Sequence, residues 1–272
     1  MRSSTAKAAT RRADDVDKLP LIMEPIRLAS EMRLAIYSDD IALRLLAASE
    51  GVPAFGTASL LVAAQGYDLL DSVQVAAATD ALRRHRYADL DWSADDLLRI
   101  ADRENYLASG GASGALARPG FWSDPLEAIA SYRSLLARLA EVDASAETIE
   151  GWHASATYGL LGRVDPISRA EAAGELLATA FVVFGLQPIA LPSLLVGARH
   201  GSEARRTTDP LPCFCGVLSR VLSGLFGQAQ GGRIYVEMMQ QLTPEDRAVA
   251  LRELLAGTGP EGRAEDPDDH ER

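Results

Sequence analysis

The stretch AIYSDDIALRLLAASEGVPAFGTASLL, residues 35–61, decides the fold of the first part of the chain. It predicts a short strand that ends at Asp39 and Asp40, then a helix, a second short strand and a second helix. Asp is a favourable helix N-cap, and Gly51 suits the position just after a helix end. Two strand–helix units joined by such short connections are typical of a parallel α/β sheet.

The two adjacent aspartates raise a physical question. Neighbouring carboxylates at the end of a buried strand cost free energy unless a metal ion, the ions around a nucleic acid or solvent relieves their repulsion. A plain structural interpretation is also open, in which one aspartate caps the following helix and its neighbour is solvated.

Composition sets broad limits on the class of protein. The 272 residues are 47% hydrophobic and 24% charged, which indicates one or two ordinary globular domains. The formal charge of −11 argues against a general electrostatic grip on nucleic acid, although a local basic face would be enough for contact. No run of 18 apolar residues is present, so we expect no membrane span.

The two cysteines lie in a lone Cys-Phe-Cys at Cys213 and Cys215, and no second pair completes a four-ligand zinc site. We interpret them as reduced thiols in a cytoplasmic protein. His153 has no neighbour at a catalytic or metal-binding spacing, which favours a structural histidine.

Composition along the chain predicts five segments. We expect a disordered N-terminus at 1–18, an α/β domain at 19–107, a linker at 108–120, a helical domain at 121–258 and an acidic tail at 259–272. The predicted linker reads ASGGASGALARPG, which is typical of a loop. In the helical domain, GGRIYVEMM suits either a strand or the start of a helix. The predicted fold is therefore a partial α/β parallel sheet followed by a mainly α-helical region, helix-dominated overall.

One part of the sequence resembles a known family. YSDDIALRLLAASEGVPAFGTASLL, with its double aspartate and the Gly-Thr after the next strand, resembles the carboxyl-terminal half of PIN-like domains. The following GYDLL and ALRRHRYADLDWSADDLL are similar to the helical segment that closes those domains. The resemblance covers residues 19–105, about a third of the chain.

The resemblance implies a chemistry. PIN-like domains are typically Mg²⁺- or Mn²⁺-dependent ribonucleases that gather carboxylates at the carboxyl edge of a parallel sheet. Oxygen ligands suit these ions, and the metal activates water for attack on a phosphodiester. By resemblance, Asp39, Asp40 and Glu24 would be the metal ligands and catalytic acids. Glu24, which starts a predicted helix, also has a plain interpretation as a first-turn acid favoured by the helix dipole.

The chain also departs from the family pattern. The family domain begins with a strand that bears its first aspartate, whereas Asp14, Asp15 and Asp17 follow no apolar strand. This pattern is expected of a fragment, of a start assigned downstream or of a degenerate remnant. Since two carboxylates hold Mg²⁺ weakly, we expect little nuclease activity from this chain alone.

Candidate contacts to RNA lie in RRHRY and in the Gly-Thr turn. Arg83, Arg84 and Arg86 would meet phosphates, and Tyr87 would stack on a base. Cations near a helix C-terminus also simply stabilise the helix. The hydroxyl of Thr57 would orient a phosphate or a metal-bound water, or else only form the turn.

Two functional hypotheses follow. The first is an incomplete or degenerate PIN-like ribonuclease module with a helical companion domain. The second is a non-catalytic interaction or scaffold protein, whose carboxyl-terminal helices contact a protein partner or another copy of the chain. Exposed apolar stripes around LFGQAQGG, residues 225–232, would form those contacts.

Overall fold

The computed structural model describes residues 19–85, 87, 90, 92–184, 187 and 190–257. The predicted disordered N-terminus, the predicted acidic tail and Arg86 lie outside these residues. The chain divides into two compact units, Met1–Leu90 and Asp91–Arg272, and each is described by itself.

The described residues of the first unit hold two short strands among four helices. In chain order, its elements are α1 (Leu19–Met32), β1 (Ile36–Tyr37), α2 (Ile41–Ser49), β2 (Ala54–Phe55), α3 (Thr57–Gly66) and α4 (Ser72–Arg84). This order confirms the predicted succession of strand, helix, strand and helix within residues 35–66.

The two strands pair in parallel, as predicted. Ile36 lies opposite Ala54 and Tyr37 opposite Phe55. The ladder continues one bond further, where the N–H of Ser38 donates to the carbonyl of Phe55 at 3.0 Å. Because the strands run in the same direction, their carboxyl ends meet at one edge of the sheet.

Local signals in the sequence fix the helix ends. Asp40 caps α2, and Gly51 just beyond its end has a φ of +75°, a conformation that glycine adopts without strain. Asp71 and Gln74 form a reciprocal capping box at the start of α4. Among the described residues, the buried core of this unit is small and consists of Ile26, Ala29, Ala47 and Val52.

The second unit is helical. Its elements are α5 (Ala94–Arg103), α6 (Gly111–Leu116), a 3-10 turn (Pro119–Ser123), α7 (Pro125–Glu141), α8 (Ala146–Leu161), α9 (Arg169–Phe184), α10 (Ala190–Ala204), α11 (Leu211–Phe226), α12 (Gln228–Met239) and α13 (Pro244–Gly257). The segment GGRIYVEMM, which the sequence left open between strand and helix, lies in α12.

One continuous apolar core runs through this unit. It begins at Leu97 on α5 and reaches Ala250 on α13. Trp122 and Trp152 are enclosed in it, and each indole N–H donates to a backbone carbonyl at 2.8 Å, so neither polar atom is left unsatisfied.

The division of the chain differs from the predicted linker at 108–120. Residues 111–116 form α6, and Ala112 and Leu116 are fully buried. Gly110 brings no side-chain cap, but the carboxylate of Glu104 accepts from the N–H of Gly111 at 2.8 Å. Small residues here reflect close packing. Helix α5, assigned from sequence to the α/β domain, contributes Leu97 to the second core instead.

The protein is helix-dominated, with 13 α-helices and a two-stranded parallel sheet among the described residues. None of the helices in the described ranges combines the length and the apolar character needed to cross a bilayer.

Candidate carboxylate site at the sheet edge

Asp39 and Asp40 follow β1 at the carboxyl edge of the sheet, and Thr57 follows β2 at the same edge. The side chains of Asp39 and Thr57 therefore meet, as expected for residues that end adjacent parallel strands. Both aspartates are exposed to solvent, while Thr57 is half-buried.

Asp40 is a helix cap. Its Oδ1 accepts hydrogen bonds from the N–H of Ala42 at 2.8 Å and from the N–H of Leu43 at 3.2 Å. These two amides belong to the first turn of α2, where no intrahelical acceptor is available. The plain structural interpretation of Asp40 is confirmed.

Asp39 turns to a different helix. Its Oδ1 accepts from the N–H of Thr57 at 2.8 Å, and the Thr57 hydroxyl lies 2.9 Å from Oδ1 and 2.8 Å from Oδ2. Thr57 is the first residue of α3, whose N-cap position is Gly56 and has no side chain to offer. Asp39 thus supplies from the neighbouring strand the acceptor that Gly56 lacks.

Two tyrosines complete the surroundings of Asp39. Tyr87 donates its hydroxyl hydrogen to Oδ1 at 2.5 Å, and the hydroxyl oxygen of Tyr87 accepts from the N–H of Thr57 at 3.0 Å. The hydroxyl of Tyr37 lies 3.3 Å from Oδ2 and 2.7 Å from the Thr57 oxygen. We call Tyr37, Asp39, Thr57 and Tyr87 the strand-edge cluster.

The cluster holds Asp39 in its ionised form. The hydrogen bond from Tyr87, followed by the bond from the Thr57 N–H, lowers the pKa of Asp39 to about 2. Partial burial, together with the hydrogen bond to Asp39, raises the pKa of Tyr87. Tyr87 therefore stays protonated at neutral pH and donates a hydrogen bond to the ionised carboxylate of Asp39.

These contacts explain how the chain carries two neighbouring carboxylates. Asp40 faces the N-terminus of α2, and Asp39 faces the N-terminus of α3. Each N-terminus presents unpaired N–H groups and the positive end of a helix dipole. Backbone amides and hydroxyls thus stabilise both charges.

A divalent ion needs more than this edge supplies. Among the described residues, no group of three or more His, Cys, Asp and Glu side chains is placed to hold a metal. The Oδ1 atom of Asp39 already faces three donors, whereas Mg²⁺ prefers near-octahedral oxygen ligation. Glu24 was predicted to start a helix, but it is the sixth residue of α1 and so lies outside the first turn. Its side chain is exposed. The residues as arranged do not fit a Mg²⁺ or Mn²⁺ centre.

The predicted basic cluster is only partly a surface feature. Arg83 pairs with Asp80 on the same helix, with Nη1 and Oδ1 3.7 Å apart and both side chains nearly buried. Arg84 is exposed at the end of α4. Tyr87, for which the sequence predicts stacking on a base, donates its hydroxyl hydrogen to Asp39.

The sequence did not predict Tyr37 and Tyr87 as hydrogen-bond partners of Asp39. Tyr37 lies two residues before Asp39, and the alternation of side chains along an extended segment would have placed both on one face. Tyr87 lies 48 residues after Asp39, and no local pattern links them.

His153 and the cysteines are structural. The Nδ1 atom of His153 lies 2.5 Å from the Tyr132 hydroxyl in the core, while Nε2 has no hydrogen-bond partner among the described residues. Burial lowers the pKa of His153 to about 3. Both cysteines are free thiols, and burial raises the pKa of Cys215 to about 11, which makes it a poor nucleophile at neutral pH.

Comparisons with known proteins give no relative for this site: no family model, no curated protein and no solved structure matches the chain. The assignment of a function therefore depends on the contacts described above.

Proposed function

We propose that the protein is a non-catalytic interaction or scaffold protein, in which the strand-edge cluster holds the first unit together. One observation carries this proposal: both carboxylates at the sheet edge are acceptors for helix N-termini. Asp40 accepts two amides of α2, and Asp39 accepts the first amide of α3 together with the hydroxyls of Thr57 and Tyr87.

Charge favours a protein partner over a nucleic acid. The chain carries a formal charge of −11, and binding to nucleic acid requires cations that displace counterions from phosphates. Of the predicted basic contacts that lie among the described residues, Arg83 is nearly buried beside Asp80 and only Arg84 is exposed.

A metal-dependent ribonuclease of the PIN-like class is the second candidate. It is favoured by the position of Asp39, an exposed and ionised carboxylate at the carboxyl edge of parallel strands. In this alternative, Asp39, Asp40 and Glu24 would be the acids and Mg²⁺ or Mn²⁺ the cofactor. RNA would be the substrate.

An RNA cleavage assay separates the two candidates. A mixture of single-stranded and structured RNA is incubated with Mn²⁺ and the wild type, with Asp39→Asn/Asp40→Asn or with the control Asp124→Asn. Asp124 caps α7 in the second unit and accepts two backbone amides as Asp40 does. We expect no metal-dependent cleavage by any of the three proteins.

A second readout uses stability. An ion that binds only the folded state must raise the unfolding midpoint. Because the proposal has no metal site, we expect Mn²⁺ to leave the midpoint unchanged. Cleavage that needs Mn²⁺, persists in Asp124→Asn and disappears in Asp39→Asn/Asp40→Asn would establish the ribonuclease and overturn the scaffold proposal.

A further inference from the structure

We infer that two copies of this chain associate across a two-fold axis through the outer face of α12. This inference rests on the proposed function as an interaction protein and names its partner. The relevant residues lie on a single stripe of the helix, which we call the outer stripe: Ala229, Gly232, Arg233, Val236, Glu237 and Gln240.

The spacing of the outer stripe is that of one helix face. Its members follow one another at i, i+3, i+4, i+7, i+8 and i+11, which spans three turns. The opposite face, with Gly231, Tyr235 and Met239, is buried in the core of the second unit. Helix α12 is therefore anchored on one side and presents a separate, ordered surface on the other.

The outer stripe lines an open groove of about 610 Å³, to which α13 contributes Leu254. Large apolar side chains next to this groove in the chain are exposed. Leu225 and Phe226 end α11 just before α12, Leu255 follows Leu254, and Leu225 and Leu255 are each 71% exposed. Exposed apolar side chains that neighbour groove residues in the chain favour an interaction site here.

The terminal segments outside the described residues lack the chemistry to fill this groove. Residues 258–272 read TGPEGRAEDPDDHER and contain no large apolar side chain, and residues 1–18 contain only Met1 and Val16. An apolar groove needs an apolar occupant. The outer stripe of another copy supplies Ala229 and Val236 as apolar occupants, beside its polar Arg233, Glu237 and Gln240.

The charges on α12 are self-complementary. Arg233 and Glu237 lie one helical turn apart on the outer stripe, and both are exposed. When two identical helices cross antiparallel about a two-fold axis, Arg233 of each copy faces Glu237 of the other. This arrangement forms two opposite-charge pairs at the rim of the contact, which favours that register over parallel pairing.

The glycine of the stripe allows close approach. A Cβ built at Gly232 meets no atom within 4 Å, so the space in front of it is open. The distance between two packed helices depends on the side chains at their crossing point, and Gly232 permits a short one. Val236 of one copy then lies against the gap at Gly232 of the other.

Sedimentation equilibrium of the full chain over a concentration series measures the association. We expect a dimer for the wild type. Gly232→Gln adds bulk to the groove, and its Cβ meets no atom of the same copy within 4 Å, so it should raise the dimer dissociation constant at least about tenfold. Gly66→Gln in α3 is the matched control, because a Cβ there also meets no atom within 4 Å, and it should leave the dissociation constant unchanged.

Charge reversal tests the two-fold geometry. Arg233→Glu and Glu237→Arg, each alone, bring like charges together and should each weaken the dimer by about tenfold or more. The double variant restores opposite charges across the axis and should return the dissociation constant to within about threefold of the wild type. Circular dichroism checks that each variant keeps its helical content.

Three results would overturn the dimer: a wild type that stays monomeric at every concentration, a dimer that Gly232→Gln does not weaken, or a double variant as weak as the single ones. A monomeric protein that also lacks Mn²⁺-dependent cleavage overturns the dimer and leaves the non-catalytic proposal standing, so the two failures are distinct.

Discussion

Tyr87 donates a hydrogen bond of 2.5 Å to Oδ1 of Asp39, 48 residues earlier in the chain. This bond joins the residue that follows β1 to the segment after α4. Because Asp39 also accepts the first amide of α3, a single carboxylate connects three parts of the first unit. Among the described residues, the buried apolar cluster of that unit is small, so a polar connection of this kind should matter to its stability.

The first prediction concerns the pKa of Asp39. Tyr87→Phe removes the strongest cause of the lowered pKa, so the pKa of Asp39 should rise from about 2 toward its ordinary value of 3.8. Tyr37→Phe is the control, since the Tyr37 hydroxyl is the weakest of the contributing donors, and it should raise the pKa less. Carbon-13 NMR of the carboxyl group measures both. A larger rise in Tyr37→Phe would contradict the assigned network.

The sign of the pH dependence follows from the same shift. A carboxylate with a lowered folded-state pKa stabilises the fold above its unfolded pKa, and that contribution is lost as pH falls. The contribution of Asp39 should therefore be complete above about pH 4 and disappear between pH 3.8 and about 2. In Tyr87→Phe this loss should become smaller.

The second prediction concerns the helix cap at Asp40. Asp40→Ala leaves two amides of α2 without an acceptor and should cost about 1 kcal/mol. Amide hydrogen exchange in α2 should speed up roughly fivefold if opening of this unit controls exchange. Asp40→Ser keeps a capping oxygen and should remain near the wild type. Equal exchange in the two variants would exclude a capping role.

The strand–helix order of the first unit could be predicted because its signals are local. Asp40 and Gly51 each act within a few residues of the helix end that they were predicted to mark, and the structure confirms both. The cap at Asp40 satisfies amides two and three residues away, so it could be predicted from the local sequence.

The partners of Asp39 and the helix at 111–116 could not be predicted, because they depend on contacts outside the local sequence. Tyr87 reaches Asp39 only because the fold returns the chain to the sheet edge. Helix α6 begins at a glycine and is capped by Glu104, seven residues before Gly111. Its burial depends on packing against α8, which composition alone does not encode.

The third prediction is that the two units unfold separately. All three tryptophans, at Trp92, Trp122 and Trp152, lie in the second unit, so tryptophan fluorescence reports that unit alone. Far-ultraviolet circular dichroism reports both units. Because the first unit has the smaller core, the dichroism signal should begin to fall at a lower urea concentration than the fluorescence signal. Coincident curves would show one cooperative unit.

The fourth prediction concerns His153. Its folded-state pKa is about 3 because of burial, against 6.5 for a free histidine, so the neutral form is required in the core. A group with a lowered pKa of this kind stabilises the fold above pH 6.5 and loses that contribution as pH falls toward 3. At pH 5, the loss from this one residue should be about 2 kcal/mol.

Two measurements isolate the effect of His153. Nitrogen-15 NMR of the imidazole should show no protonation at pH 5 in the folded protein. The free energy of unfolding should depend less on pH in His153→Phe than in the wild type. A His153 that titrates near pH 6.5 would contradict the closed core.

The fifth prediction compares two glycines in helices. Gly197 on α10 lies against α8, where an added Cβ would be 2.4 Å from the carbonyl oxygen of Glu150. A backbone carbonyl cannot move aside by changing rotamer, so Gly197→Ala must push the two helices apart. This should lower the free energy of unfolding by about 1 to 3 kcal/mol. At Gly224 on α11 an added Cβ meets no atom within 4 Å, and Gly224→Ala should gain about 0.5 to 1 kcal/mol from reduced backbone entropy in the unfolded chain.

Urea unfolding followed by tryptophan fluorescence measures both variants in the same unit, since both glycines and all three tryptophans belong to it. The two substitutions are chemically identical, so intrinsic helix propensity predicts the same gain for each. Changes of opposite sign in the free energy of unfolding would show that the close contact between α8 and α10 requires a residue without a side chain at position 197. A gain at Gly197 equal to that at Gly224 would mean that the helices are not held at this distance.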